Sequence, residues 1–575
     1  MIEAFSAQDV RAAEEPLLAV ERGFAGGLMH RAATALALAV CRELRSRGGR
    51  VAGSVVVGLV GPGNNGGDTL HALALLAQRG VRAVAVLTGP AVHDGGLHAL
   101  RRAGGSVVAV AEAVVRPEGA PDAELPDGQA QRVWLGEALA EAFAADVVLD
   151  GLLGIGGRGG LRGTPALLVQ LLSELMDQAR GEGDLDGDLH GSGPGASGPH
   201  LEVPAVIAVD VPSGIGVDDG RVVGAVLTAD RTVTFGALKP GLLLPPADRS
   251  AGRLELVDLG LAPARGGTAA VRRLRDDDVR RLLPVPGTTA HKYTRGVVGV
   301  VAGSRAYPGA AVLAVAGALG TGCGMVRYIG PDEVRAAVLS AHPEVVAGVG
   351  RVQSWVLGPG LSEGDEQAAA VEEAFARALE ADEPVVVDAG ALPALPLRVT
   401  PLVVLTPHAG ELARLLTARG VEVSREDVDA EPLRWARTAH EVTGATVLLK
   451  GATTLVVGAE MVLSQADAPP WLATAGAGDV LAGVLGALLA GRAQEVRRAP
   501  ALVAEIAAAA ALLHGRAAHA ANPGGPVRAG AVAEALPEVI ARLLGVPAVP
   551  DVPVVSRVHR VPAPPARSRG RGAAS

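Results

Sequence analysis

Cysteine and lysine are nearly missing from this 575-residue chain. The two cysteines, Cys41 and Cys323, lie too far apart in sequence to form a disulfide framework or a clustered thiolate metal site, and a reducing cytoplasm is the expected location. Lys and Arg together number 52, yet only Lys239, Lys292 and Lys450 are lysines. A codon bias accounts for that exchange, and under it a surviving lysine points to a place where a compact ammonium is needed and a planar guanidinium will not serve. Excess positive charge is absent too. The net charge of -9 gives no basic field for a nucleic-acid backbone or an anionic membrane. Long apolar runs are lacking, since the stretch 480–491 is too short to span a bilayer. Glu3, Asp9, Arg11 and Glu14 precede any apolar run, so neither a signal peptide nor a transit peptide is readable. The expectation is a soluble, intracellular protein.

What is present is folded, enzyme-like material: 49% hydrophobic and 20% charged residues, in a chain long enough for two or three domains. From 51 to 235, short Val/Ile/Leu runs such as VVVGLV, VRAVAVL, DVVLD and AVIAVDVP alternate with helical stretches. Such runs indicate a parallel sheet buried on both faces, hence a doubly wound α/β domain. A second series starts near Gly296 with GVVGVVAGS and continues through SWVLGPG, PVVVDAG, LVVLTPHAGE and TVLLKGATTLVV. Two such domains are expected in tandem, 1–265 and 266–546, with LAPARGGTAAV as the linker and 547–575 as a disordered Pro/Arg-rich tail. Residues 181–200 read as a solvated Gly/Ser/Asp loop, and 117–131 as a smaller polar insertion.

The segment 60–68, VGPGNNGGD, follows a strand and opens a helix, and Gly61, Gly63 and Gly66 satisfy GxGxxG. A dinucleotide-binding dehydrogenase would also place an acid about 20 residues on, at the end of the next strand. That strand ends instead in VLTGP. Asn64, Asn65 and Asp68 crowd the loop with side-chain oxygens, so something polar or cationic is being held. Ligands of open parallel sheets sit beyond the carboxyl ends of strands, where Asp150 ends DVVLD, Asp210 ends AVIAVD and Ser213 follows in VPSG. Each acid alone reads as a helix cap. Together Asn65, Asp150 and Ser213 offer hard oxygen ligands suited to an alkali or alkaline-earth cation. Lys239 follows the last expected strand of this domain, in TFGALKPG.

GPGNNGGD, DGLLGIGGRG, VDVPSG and FGALKPG, in that order, resemble the NAD(P)HX epimerase domain of the YjeF N-terminal type, over roughly the first 260 residues. The resemblance implies a Rossmann-like domain that interconverts the R and S epimers of hydrated nicotinamide cofactors. It implies that Asn64, Asn65, Gly66, Gly67 and Asp68, with Gly154, Ile155, Gly156, Gly157, Arg158, Gly159, Gly160 and Asp210, contact the hydrate. It further implies that Asn65, Asp150 and Ser213 hold K⁺. Asp210 is the expected acid/base group with Lys239 assisting, because inverting a hemiaminal-like carbon requires taking and returning a proton or hydroxyl. Thr69 stands where the family's NNGGDG has Gly.

In the second half, AGAGD at 475–479 opens an apolar helix whose first N–H groups suit phosphate oxygens. Upstream stand KGATT (450–454), TPHAGE (406–411), GPG (358–360), VVVDAG with Asp388, and GSRAYPGAA (303–311). This order and spacing is similar to the ribokinase-like ADP-dependent NAD(P)HX dehydratases, over about 270 to 545, which also show the HKYTRG segment containing Lys292. The resemblance implies that Ala310, Gly360, His408 and Asp479 contact the hydrate, and that Lys450, Gly451, Ala452, Thr453, Thr454 and Gly478 contact ADP. His408 taken alone reads as a helix-entry histidine. Asp479 is the expected base: it deprotonates the hydroxyl, which takes phosphate from ADP, and expelling phosphate restores the double bond. Mg²⁺ is implied, with Glu411 as a water-mediated anchor. Family members commonly have Thr where Ala477 stands.

The expected fold is therefore α/β, two tandem doubly wound domains, Rossmann-like then ribokinase-like. The expected function is repair of NADHX and NADPHX to working cofactor with ADP, giving AMP and phosphate, in a cytoplasmic homo-oligomer without nucleic-acid or membrane partners. Two alternatives stay open: a ribokinase-like small-molecule kinase carrying a non-catalytic N-terminal binding domain, and a working dehydratase fused to a module that only binds or oligomerises.

Overall fold

Runs of β-branched residues bounded by glycine cover both faces of two sheets, in a computed structural model that describes residues 1–21, 24–110, 131–157, 159–189, 203–261, 268–362 and 366–545. In the first sheet eight parallel strands lie in the order Gln131–Val133, Ser106–Val110, Arg82–Leu87, Val55–Val60, Val147–Gly151, Ala205–Val209, Arg231–Phe235, Arg253–Val257. The pleat divides its valines between two layers. Val56 and Val60 face the helices Leu28–Ser46, Asn64–Ala77 and Asp94–Arg102, and Val57 and Leu59 face Leu135–Phe143 and Gly163–Leu189. Strand order reverses between Val55–Val60 and Val147–Gly151, which opens a crevice at their carboxyl ends.

The second sheet has eleven strands. Its parallel core runs Thr446–Leu449, Val403–Leu405, Val385–Val387, Ser354–Leu357, Val297–Val301, Met325–Ile329, Val346–Ala347, and the order reverses between Ser354–Leu357 and Val297–Val301. The helices Pro308–Thr321, Ala477–Gly491, Leu502–Ala521 and Ala529–Leu544 pack on one face. The helices Ala368–Glu380, Ala409–Ala418 and Pro432–Thr443 pack on the other. The doubly wound α/β class expected from the pattern is the observed one.

Two expectations are corrected. The strand Arg231–Phe235 is not the last of its sheet, because Arg253–Val257 pairs with it as a further parallel edge. Its alternating RLELV pattern is that of an edge strand with one wet face, not of a buried run. The helix Gly163–Leu189 continues nine residues into the segment read as a loop from Gly181, since extending a formed helix adds one hydrogen bond per residue without a new nucleus. The two tandem units are also joined by more than the chain between them. The first strand, Ile2–Ala4, crosses over to pair antiparallel with Val271–Arg273 in the second sheet. Ile215, Val217, Leu243 and Leu244 of the first unit then share one buried cluster with Val271, Leu405 and Leu449. The boundary near 266, residues 190–200 of the insertion and the 547–575 tail lie outside the described residues, as does most of 117–131. Among the described residues no helix is long and apolar enough to cross a membrane.

Candidate active sites

The first site forms where three strand ends meet. The helix Asn64–Ala77 starts without a side-chain cap, and a Cβ on Gly61 would stand 1.8 Å from the Leu152 carbonyl oxygen, so only glycine lets the two loops touch. A Cβ on Gly154 would stand 2.2 Å from Asn65 Oδ1. Asn65 is buried, and its Nδ2 donates to the carbonyls of Val209 and Leu153. Asp150 is fully buried and accepts from Ser213 through both its hydroxyl, at 2.6 Å, and its N–H, at 2.8 Å. Burial pushes the Asp150 carboxyl up, and the Ser213 hydrogen bonds pull it back. Among the described residues it has no cation partner. The expected Asn65, Asp150 and Ser213 set is thus brought together around the Leu153 backbone, with an uncompensated carboxyl at its centre.

Asp210 holds φ +69, a left-handed conformation that costs a non-glycine residue about 1 kcal/mol or more. It turns its Oδ1 onto the Phe235 N–H (3.1 Å), the Thr234 hydroxyl (3.2 Å) and the Lys239 ammonium. Lys239 is only 1% exposed and donates also to Thr234 Oγ1 and the Phe235 carbonyl. Asn64, Asn65, Asp68, Ile155 and Asp210 line a cavity of about 790 Å³. Gly154, Ile155, Gly156 and Gly157 line an adjoining one of about 1080 Å³, again with Asn64 and Asn65. Gly66 and Gly67 are buried in the first turns of the helix, and Gly160 presses on the Val223 carbonyl. Gly159 lies in the same loop with a left-handed φ of +76. Arg158 lies outside the described residues.

Sequence reasoning missed Glu14, Phe24, His71 and His93, which line the same cavity. His71 stacks on Phe24 at 3.8 Å, and burial together with His93 and His30 pushes it down to about 4, so it is neutral near pH 7. No motif marks these residues, because they come from separate elements. Only Phe24 carries a signal, the rarity of aromatics in the chain.

The second site gathers at the corresponding edge of the other sheet. Asp479 is the third residue of the helix Ala477–Gly491, entered through Gly476 at φ +87. Burial, with the charge of Asp388 adding and Lys450 opposing, pushes its carboxyl up to about 7. Lys450 Nζ lies 2.8 Å from Asp388 Oδ1 and 3.6 Å from Glu411 Oε2. Burial disfavours that ammonium, but the carboxylates outweigh it and its pKa is raised. A Cβ on Gly478 would stand 3.4 Å from Lys450 Nζ, which brings these two of the expected nucleotide residues together. Gly451 and Ala452 are exposed, Thr454 opens a strand, and Thr453 turns its hydroxyl to Asp248 of the first unit. Ala310 and Gly360 touch: a Cβ on Gly360 would stand 2.4 Å from that of Ala310.

His408 is the N-cap of the helix Ala409–Ala418, its Nδ1 accepting from the N–H groups of Gly410 and Glu411 while Glu411 accepts from the His408 N–H at 2.8 Å. The helix-entry reading of this histidine is observed. Asp388, absent from the expected site set, is the main partner of Lys450. Of the three lysines, Lys239 and Lys450 are paired to carboxylates, and Lys292 lies exposed beside Tyr293.

A family model described as YjeF-related protein N-terminus matches residues 25–241, and one described as NAD(P)H-hydrate dehydratase matches residues 298–537. A bifunctional NAD(P)H-hydrate repair enzyme of Mycobacterium tuberculosis is 40% identical over 500 residues, covering 84% of this chain and 89% of the relative. That of Mycobacterium leprae is 40% identical over 536 residues, covering 90% and 94%. This chain belongs to the bifunctional NAD(P)H-hydrate repair enzymes. Identity across both halves sets aside the kinase reading. Among solved structures, an ADP/ATP-dependent NAD(P)H-hydrate dehydratase from Bacillus subtilis, co-crystallized with ATP/Mg²⁺, is 26% identical with a TM-score of 0.41, covering 48% of this chain and 100% of that one.

Proposed function

We propose that the repair is divided between the two strand-edge sites, with 1–265 carrying epimerisation and 266–546 carrying ADP-dependent dehydration. The observation that supports this best is that each sheet gathers its own carboxylates and its own lysine beyond the carboxyl ends of its parallel strands: Asp210 with Lys239, and Asp479 with Asp388 and Lys450.

In the first site Asn64, Asn65, Gly66, Gly67, Asp68, Gly154, Ile155, Gly156, Gly157, Arg158, Gly159 and Gly160 surround the R or S hydrate of NADH or NADPH, and Asp210 exchanges protons at the hydrated carbon. Asp150, Asn65 and Ser213 suit K⁺, because their donors are oxygens and the buried Asp150 lacks a counter-charge among the described residues. The ion would supply that charge and fix the loop.

In the second site Asp479 takes the proton of the S-hydrate hydroxyl, and Ala310, Gly360 and His408 hold the ring. The freed oxygen attacks the terminal phosphorus of ADP and AMP leaves. Phosphate then departs from the ring carbon as the neighbouring C–H gives its proton to solvent, which forms the double bond. Lys450, Gly451, Ala452, Thr453, Thr454 and Gly478 hold the nucleotide. Mg²⁺ bound to its phosphates would neutralise charge there, with Glu411 as a carboxylate within reach of Lys450. The chain acts in the cytoplasm as a homo-oligomer. Product analysis tests the scheme: one AMP and one phosphate per reduced nicotinamide formed supports it, and a persistent phosphorylated small molecule contradicts it.

A further inference from the structure

Among the described residues, Asp68 is a buried carboxyl without a partner. It is 6% exposed, its Oδ1 has no hydrogen bond, and it lines the 790 Å³ cavity beside Asp210, Asn65 and Glu14. A carboxylate withdrawn from water ordinarily gains a cation or several N–H donors. Among the described residues Asp68 has gained neither. The cation nearest in charge, Lys239, is fully used: its ammonium has three protons, and they go to Asp210, to Thr234 Oγ1 at 3.1 Å and to the Phe235 carbonyl at 3.0 Å.

Among the described residues, the charges that act on Asp68 besides Lys239 come from acids, although Arg102 lines the same cavity. Glu14, from the helix Ala7–Leu18, and Asp210, from the strand end, are acids. His71, one turn along the same helix, is held neutral near pH 7, and His93 Nδ1 accepts from the Gly96 N–H. Burial foremost, then the charges of Asp210 and Glu14, push the Asp68 carboxyl well above the usual range, against a smaller pull from Lys239. Asp210, by contrast, is ion-paired. Two carboxyls in one cavity with opposed environments are a pattern of acid and base side by side.

We infer that Asp68 is the acid of the epimerisation, entering the reaction with a proton that it gives to the ring nitrogen while the Asp210 carboxylate takes the proton of the hydroxyl on the hydrated carbon. The bond between that carbon and the ring nitrogen breaks, its electron pair going to nitrogen. The carbon becomes an aldehyde in an opened ring. Rotation turns the other aldehyde face to the nitrogen. The nitrogen returns its proton to Asp68 and re-forms the bond, and Asp210 returns its proton to the oxygen. Both carboxyls end as they began, no outside reactant is consumed, and only the configuration has changed. This rests on the assignment of epimerisation to the first site.

The test uses the full chain, the R epimer of hydrated NADH as sole substrate, and ADP in excess, with spontaneous epimerisation subtracted. Asp68→Asn keeps the shape and loses the acid. Its expected effect is a fall in epimerisation kcat of about 10² to 10³-fold, KM within about threefold of wild type, and loss of the alkaline decline in kcat/KM that the wild type shows as Asp68 gives up its proton. Asp68→Glu, which retains a carboxylic acid, should recover part of the rate together with the alkaline decline. Dehydration of the S epimer by the same preparations reports that the chains are folded. An Asp68→Asn kcat within about threefold of wild type, a loss confined to KM, or an Asp68→Glu rate no better than that of Asp68→Asn overturns the proposal. Asp210→Asn, assayed alongside, separates the two levels. If it too keeps its rate, the site assignment fails; if it alone is impaired, only the acid role of Asp68 fails.

Discussion

The Thr453 hydroxyl donates a hydrogen bond to Asp248 Oδ2, so the loop that follows Lys450 is tied to the 3-10 turn Ala247–Ser250 of the other unit. Asp248 Oδ1 is buried and unpartnered, and Arg273 stands 3.8 Å from Oδ2. The expected nucleotide loop is therefore held from outside its own sheet. Thr453→Val keeps the volume and removes the donor, which should cost about 1 to 1.5 kcal/mol, or roughly tenfold in the KM for ADP. Initial rates against ADP concentration check it, with epimerisation expected to be unchanged.

The pKa of Asp479 near 7 makes the dehydration step pH-dependent in a definite direction. A general base works ionised, so kcat should rise as pH increases through about 7 and level off above it. Asp479→Asn should lower that rate by about 10² to 10⁴-fold. Its carboxyl sits above its unfolded value, so ionising it costs the folded state stability as pH rises through about 7. At about pH 8 the asparagine variant should consequently melt no lower than the wild type.

Lys239 lies among three acceptors at 1% exposure. A guanidinium is larger and planar, so Lys239→Arg should abolish epimerisation despite keeping the charge. Lys239→Met leaves Asp210 buried and unpaired, with an expected loss of about 3 to 5 kcal/mol. Denaturant titration monitored together with the R-epimer rate checks both.

Strand exchange bears on separability. A fragment starting at Ala269 loses the partner of Val271–Arg273 and exposes the shared cluster around Leu243 and Leu405. It should melt below the full chain and aggregate more readily, as an uncovered strand edge and apolar face would. Equal melting temperatures for fragment and full chain would contradict this.

Much of the architecture was legible because its strands are continuous runs such as VVVGLV and AVIAV, which only a doubly covered sheet buries. The strand-end acids Asp150 and Asp210 followed from where those runs stop, whereas Asp388 was legible only as part of VVVDAG and its pairing with Lys450 was not. Ile2–Ala4 was not legible, since three residues carry no period and their partner lies near 270. The edge strand Arg253–Val257 alternates too briefly to stand out. Glu14, His71 and His93 could not be assigned to the first cavity because their meeting depends on how three helices pack, which spacing along one element does not encode. The unmet demand of Asp68 is likewise visible only in three dimensions: in sequence it is one of three polar side chains crowding a helix start, with nothing to show that it lacks a partner.

The division of labour between the two sites is tested most directly by progress curves of reduced nicotinamide formation from mixed R and S epimers with ADP, K⁺ and Mg²⁺. The wild type should show a first phase that consumes the S epimer and a slower second phase that consumes the R epimer. Asp210→Ala should leave the first phase intact and remove the second down to the spontaneous rate, whereas Asp479→Asn should remove both. If Asp210→Ala slows the first phase as much as the second, or leaves the second phase at its wild-type rate, the two carboxylates do not act on separate reactions and the account is wrong.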